Sequence, residues 1–231
     1  MRILLIILMF SNPLFSKDKD IDEKIKEFIL NNPEILIKSL KNYSENIEKK
    51  NKSQIKQKIN NYNSEIFDKN TKMYLGNNDA KISITEFFDY NCAYCLKAHK
   101  EMSEMLSEKA NFKVILKHLP MLSKSSEKFA RLGIVLASRS REEFMEFHEF
   151  AITNAFSLKE RKLKDFFEKK KIDYNKLINE SESYNTTKML ERDIFIAKEL
   201  EINGTPAFVI NDEILTGWIG KSSLRQLIDQ Q

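Results

Sequence analysis

The chain has 231 residues, 42% of them hydrophobic and 31% charged, which suits a soluble globular protein of one domain plus an appendage. Its formal net charge is +4, and discounting Arg2 in the leader lowers it to +3, too small to argue for nucleic acid. Beyond the N-terminus no segment approaches eighteen apolar residues, which excludes a membrane-spanning helix in the mature chain.

Residues 1–16 read as a secretory signal. Arg2 precedes an unbroken apolar run from Ile3 to Phe10, and Ser11 to Ser16 supplies a small-residue cleavage region. Cleavage after Ser16 exports the chain to an oxidising compartment, and the alternative is an uncleaved anchor. Residues 17–76 read as an N-terminal helical region. Its first helix, Asp20 to Asn31, carries Ile21, Ile25, Phe28 and Ile29 on one side and stops at Asn31-Asn32-Pro33. Pro33 suits the first turn of a second helix reaching about Asp68. Its apolar residues are Leu36, Leu40, Tyr43 and Ile47, then Ile55, Ile59, Tyr62 and Ile66. The 4-3-4 spacing, repeated across a gap near Lys50 to Gln54, predicts an interrupted coiled-coil seam and hence an oligomer; the alternative is packing back on its own domain. The run Lys49, Lys50, Lys52, Lys56 and Lys58 reads as a solvated helix face.

The turn cluster Gly76-Asn77-Asn78-Asp79 places the domain boundary, and residues 77–231 read as the catalytic domain. A strand at Ile82 to Phe88 leads through a turn to Cys92-Ala93-Tyr94-Cys95, and helical spacing follows through Leu96, Met102, Met105 and Leu106. Phe112 to Leu119 reads as a second buried strand ended by Pro120. About residues 123–201 read as a helical insertion, with helices at Ser125 to Arg139, Glu142 to Phe156, Lys159 to Lys169, Tyr174 to Asn179 and Thr186 to Leu200. Pro206 to Ile210 and Glu213 to Thr216 flank the two-residue turn Asn211-Asp212 as a hairpin, and Ser222 to Asp229 is a last helix.

Cys92 and Cys95 are the only cysteines. At a helix N-terminus the unpaired N–H groups and the helix dipole favour a thiolate, which makes Cys92 the exposed nucleophile and Cys95, one turn in, the buried resolving thiol. A structural zinc site would need two of His99, His118 and His148, whose spacing does not suit it. A purely structural disulfide would close only a tiny loop and restrict the unfolded chain little. The second constellation is Gly204-Thr205-Pro206, where a proline between a turn and a strand is a natural place for a cis peptide.

Together, Glu86-Phe-Phe-Asp-Tyr-Asn-Cys-Ala-Tyr-Cys95 and Gly204-Thr-Pro-Ala-Phe-Val-Ile210 resemble the exported DsbA-like thiol:disulfide oxidoreductases. The resemblance runs from about Asn78 to Gln231. It implies an α/β thioredoxin-like fold with a helical insertion, preceded by an N-terminal helical arm. It makes Cys92 the attacking thiolate, Cys95 the resolving thiol and Glu86 an acid that helps move the proton of the buried cysteine. Pro206 becomes a cis-proline facing the active site, Thr205 the residue that touches the substrate backbone, and Ala93 and Tyr94 the dipeptide that tunes the thiolate on the substrate side. Ala93 stands where members commonly have proline or glycine, which leaves the reduction potential open. Phe28-Ile-Leu-Asn-Asn-Pro-Glu-Ile-Leu36 before a long polar helix resembles the N-terminal region of ScsC-type proteins, some of which form trimers.

The expectation is therefore a periplasmic thiol:disulfide interchange enzyme that forms or isomerises disulfides in client proteins. It would need no metal or other cofactor and no nucleic acid, and would work as a homotrimer served by a membrane redox partner. An alternative class is a chaperone or soft-metal carrier gripping Cu(I) between Cys92 and Cys95.

Overall fold

The computed structural model describes residues 17–108 and 110–229; the expected signal segment lies outside them. The described residues divide into two compact units, one ending at Asn51 and the other beginning at Lys52. Residues 52–76 thus belong to the larger unit.

In the first unit, α1 (Lys17–Asn31) is followed at Asn32 by a break. There the Ile35 N–H bonds the Asn32 carbonyl, and the Asn32 side chain donates to the carbonyl of Phe28 at 2.8 Å. α2 (Pro33–Asn61) begins at the proline, whose missing N–H costs nothing in a first turn. Ile21, Ile25, Phe28 and Ile29 of α1 and Leu36, Leu40, Tyr43 and Ile47 of α2 are all exposed.

α2 ends in the larger unit, and a short α3 (Asn63–Ile66) follows where one unbroken helix to Asp68 was expected. The five strands, β1 (Tyr74–Gly76), β2 (Ile82–Phe88), β3 (Phe112–His118), β4 (Ala207–Ile210) and β5 (Glu213–Thr216), form one sheet in the order β1-β3-β2-β4-β5. β2 and β3 are parallel, joined by α4 (Ala93–Ser107), and every other pairing is antiparallel. The turn cluster at Gly76 conceals β1, whose three residues are too few to show a period of two. Gly76 itself has φ of +82°, and a Cβ there would stand 2.3 Å from the Phe112 carbonyl oxygen, so only glycine closes this edge pair.

Alternation along the strands sorts the core into two layers. Ile84 and Phe88 of β2 and Phe208 of β4 join Cys95, Ala98, Met102 and the aromatic insertion residues Phe129, Phe144, Phe147 and Phe167 on one face. Phe87, Ala207 and Val209 point to the other, where they meet Ile196, Leu200 and Ile202, and also Ile59 and Ile66. Half of the expected seam is therefore core of the larger unit: Ile59 and Ile66 are fully buried, and Ile55 and Tyr62 pack beside them. Each fully buried isoleucine contributes roughly 1.5–3 kcal/mol. Ion pairs run alongside, Lys56 to Asp212 and Lys58 to Glu201, both at 2.5 Å, so these lysines of the basic run are not simply solvated.

The insertion between β3 and β4 comprises α5 (Lys124–Arg139), α6 (Arg141–Asn154) with a 3-10 turn at Ala155–Ser157, α7 (Glu160–Lys169), α8 (Tyr174–Ser181) and α9 (Tyr184–Glu199). Ser123, Ser140, Asp173 and Ser183 cap four of these helices through their side chains, which accounts for the sharpness of the boundaries. The closing helix α10 (Lys221–Asp229) is tied to α4 by the Lys221 N–H, which donates to Glu101 at 2.9 Å. Among the described residues no helix is long and apolar enough to cross a membrane.

Candidate active site

β2 ends at Phe88, and after the three-residue turn Asp89-Tyr90-Asn91 the backbone of Cys92 takes the N-cap position of α4, with φ of −98° and ψ of 118°. Its N–H bonds the Asp89 carbonyl at 3.0 Å and its own carbonyl accepts the Leu96 N–H at 3.1 Å, closing the first helical turn. The pairing of β2 with β4 aligns Phe87 with Ala207, which brings Pro206, next before it, to the same end of the sheet. The Thr205-Pro206 peptide is cis. Cys92 Sγ donates to the Thr205 carbonyl oxygen at 3.2 Å, so the two sequence constellations, remote in the chain, form one site.

Both cysteines are free thiols. Cys92 is 6% exposed and Cys95 1%, so the expected contrast in exposure is narrow, and the difference between them lies in acidity. Hydrogen bonding from Cys95 lowers Cys92 to about 5, with further help from the Thr205 side chain and the N–H groups of Cys95 and Tyr94, against the opposing effect of burial. The Thr205 carbonyl suits the thiol and not the thiolate, so those donors must outweigh it. Cys95 is pushed strongly upward by burial first, then by its bond to Cys92 and by the charge of Glu86. At neutral pH the pair is one thiolate beside one thiol.

Glu86 stands in the middle of β2, opposite Leu116 on one side and Phe208 on the other, and only 2% of its surface is exposed. Burial, with the charge of Cys92 second, raises its carboxyl to about 8. It is no edge or surface carboxylate. Ala93 is exposed, and Tyr94 extends into solvent with 66% of its surface free.

The three histidines do not converge on the cysteines' chemistry. His99 and His148 face each other at 3.4 Å, His99 Nε2 meets Glu149 at 2.9 Å, and His148 Nδ1 lies 3.3 Å from the Tyr90 hydroxyl. His118 is buried without a partner for either ring nitrogen, and desolvation holds it down at about 3. The sequence reading passed over Asp89 and Asn91, which brace the cysteine turn. Their signal was present: two turn-forming side chains between a strand and a helix start.

The family model described as Thioredoxin matches residues 68–230, well over half of the chain, and the chain belongs to that family. Among solved structures, the thiol-disulfide exchange protein alpha-DsbA2 from Wolbachia pipientis superposes with a TM-score of 0.67 at 24% identity, covering 78% of this chain and 96% of that one. A linker-deletion mutant of Proteus mirabilis ScsC gives a TM-score of 0.67 at 21% identity over 94% and 95% of the two chains. The fold is thus that of the DsbA-like and ScsC thiol–disulfide oxidoreductases. A curated relative, the probable disulfide bond formation protein D of Bacillus cereus, is 21% identical over 73% of this chain and 82% of its own length. The chain also matches the Na(+)/H(+) antiporter NhaA 3 of Salinispora tropica at 22% identity over 59% of its residues, and spans only 21% of that protein's length.

Proposed function

We propose that the chain is an exported thiol:disulfide interchange enzyme acting on client proteins in the periplasm. The observation that carries this reading is the asymmetric thiol pair: Cys92 held near 5 at a helix N-cap, Cys95 buried behind it, and the Thr205-Pro206 loop 3.2 Å away. In the isomerising direction the Cys92 thiolate attacks one sulfur of a client disulfide, and the other client sulfur leaves as a thiolate that can attack elsewhere in the client. A client thiolate then displaces Cys92 and a new client disulfide remains. If rearrangement stalls, Cys95 gives up its proton and attacks Cys92, which releases a reduced client and leaves Cys92 and Cys95 oxidised. Run backwards from the oxidised pair, the same steps oxidise a client dithiol.

Glu86 is the group for that proton. Raised to about 8 and charge-coupled to both cysteines, it exchanges a proton close to neutral pH. Thr205 and Pro206 would receive the client backbone, and Ala93 and Tyr94 would line its approach. The exposed apolar residues of residues 17–51 support a homo-oligomeric arm, which we take as a trimer. Several active sites around one client favour isomerisation over simple oxidation, and a membrane redox partner would keep Cys92 and Cys95 reduced. Acid trapping and alkylation in the living cell tests the direction: a pair found mostly oxidised would mark an oxidase instead. Purified protein that neither reduces nor reshuffles a scrambled disulfide client refutes the reading, and stoichiometric Cu(I) binding in its place would point to a metal carrier.

A further inference from the structure

Two residues outside the exchange chemistry hold the turn that carries Cys92. Asp89 follows β2 directly and is 1% exposed. Its Oδ1 accepts the Asn91 N–H at 2.8 Å, and its Oδ2 accepts the N–H groups of Met121 and Leu122 at 2.8 and 2.9 Å. Its backbone carbonyl accepts the Cys92 N–H, and its backbone N–H is among the donors acting on the Cys95 sulfur. Asn91 Nδ2 lies 3.0 Å from each of the hydroxyls of Ser123, Ser125 and Ser126. Ser123 is also the N-cap of α5, accepting the Ser126 N–H at 3.1 Å. The starts of α4 and α5 therefore meet at one clamp.

A buried carboxylate is costly unless its oxygens meet donors, and three charge-assisted bonds to backbone N–H groups meet them here. An amide of the same shape has a single oxygen, so it must turn its NH2 toward donors on one of the two loops. The charge at position 89 thus links two segments that a neutral isostere could not both hold. What the link preserves is direction: the N–H groups of Tyr94 and Cys95 stabilise a thiolate only while the turn aims them at Cys92, and tolerances in such sites are about 0.5 Å.

We propose that Asp89 and Asn91 are positioning residues that register the Cys92 turn against the start of the helical insertion and so set how readily Cys92 exchanges. This rests on the reading of Cys92 as the exchanging nucleophile and goes beyond it by giving the insertion a hold on the redox centre.

The test uses the full chain with Asp89→Asn and, separately, Asn91→Ala, both reduced. Two quantities are measured: the rate of alkylation of Cys92 by a small reagent against pH, and the equilibrium with a glutathione redox buffer. For Asp89→Asn the alkylation midpoint rises by about one pH unit, so that labelling at acidic pH slows about tenfold. The glutathione equilibrium moves about tenfold toward the protein disulfide, about 30 mV for a two-electron couple. For Asn91→Ala the same changes occur at about threefold, roughly half a pH unit. Variants that fold, melt at a lower temperature and keep the parental midpoint show a merely structural role and overturn the proposal. If Asp89→Asn does not fold, Asn91→Ala alone decides. Alkylation needs no client, so the two readings fail separately. A parent inert toward protein disulfides, with both variants shifted, sinks the proposed function and leaves the clamp. A parent active on clients, with neither variant shifted, does the reverse.

Discussion

At the scale of single residues, Cys92 and Cys95 differ by acidity far more than by exposure. Near neutral pH only Cys92 is a thiolate, so brief limiting alkylation of the reduced protein labels Cys92 alone, as mass spectrometry of the digested protein can show. Equal labelling of both cysteines contradicts the assignment. Cys95→Ala removes the escape route and accumulates mixed disulfides with clients. Glu86 adds a pH signature whose sign follows from its raised carboxyl. It accepts the Cys95 proton only as a carboxylate, and with its midpoint at about 8 that fraction grows as pH rises through 8 and saturates only above it. The release of a preformed mixed disulfide by Cys95 therefore quickens as pH rises through about 8 and levels off above it. Glu86→Gln is expected to flatten this rise and slow the step by about a hundredfold, within the usual range for a positioned proton acceptor. A stopped-flow pH series that leaves the variant's profile parallel to the parent's removes Glu86 from the mechanism.

At the scale of elements, α2 has two halves with different fates. Ile55 and Ile59 in α2, Tyr62 in the break after it and Ile66 in α3 complete the sheet face that carries Phe87 and Val209. Leu36, Leu40, Tyr43 and Ile47 have no such cover in the single chain. Ile59→Ala leaves a cavity under the sheet and is expected to destabilise the larger unit by about 2–5 kcal/mol in denaturant unfolding. Leu40→Ala, on the exposed half, leaves that unit's unfolding midpoint unchanged and acts on assembly alone. The strand β1 shows the opposite situation: a three-residue element with little pattern of its own, held by β3 and by a glycine that fits against the Phe112 carbonyl.

At the scale of the whole molecule, the expected trimer rests on the exposed residues of 17–51. Burying an apolar side chain between copies yields on the order of 1.5 kcal/mol or more before ordering costs. A truncation separating assembly from chemistry must start at Lys52, because a cut at Thr71 would strip Ile59 and Ile66 from the core. The 52–231 protein is expected to be a monomer that keeps Cys92 reactivity and loses isomerase activity. Light scattering coupled to size exclusion checks both forms, and a full-length mature chain running at the mass of one copy refutes the trimer.

Much of this protein was legible in its sequence because the governing signals are local. Helical and strand periodicity, the Asn211-Asp212 hairpin and a C-x-x-C at the start of a helix each depend on neighbours a few residues away. What local pattern alone could not supply depends on residues far apart in the chain. The family resemblance anticipated both the Thr205-Pro206 loop at the active site and the role of Glu86, but it is strand pairing that carries Thr205 to Cys92 and burial that raises the Glu86 carboxyl to about 8. The division of one apolar stripe into a core half and an exposed half is of the same kind, because the 4-3-4 spacing is identical in both. Which half is covered was decided by the sheet face that Ile59 and Ile66 found to pack on, and the tertiary fold alone supplies that face.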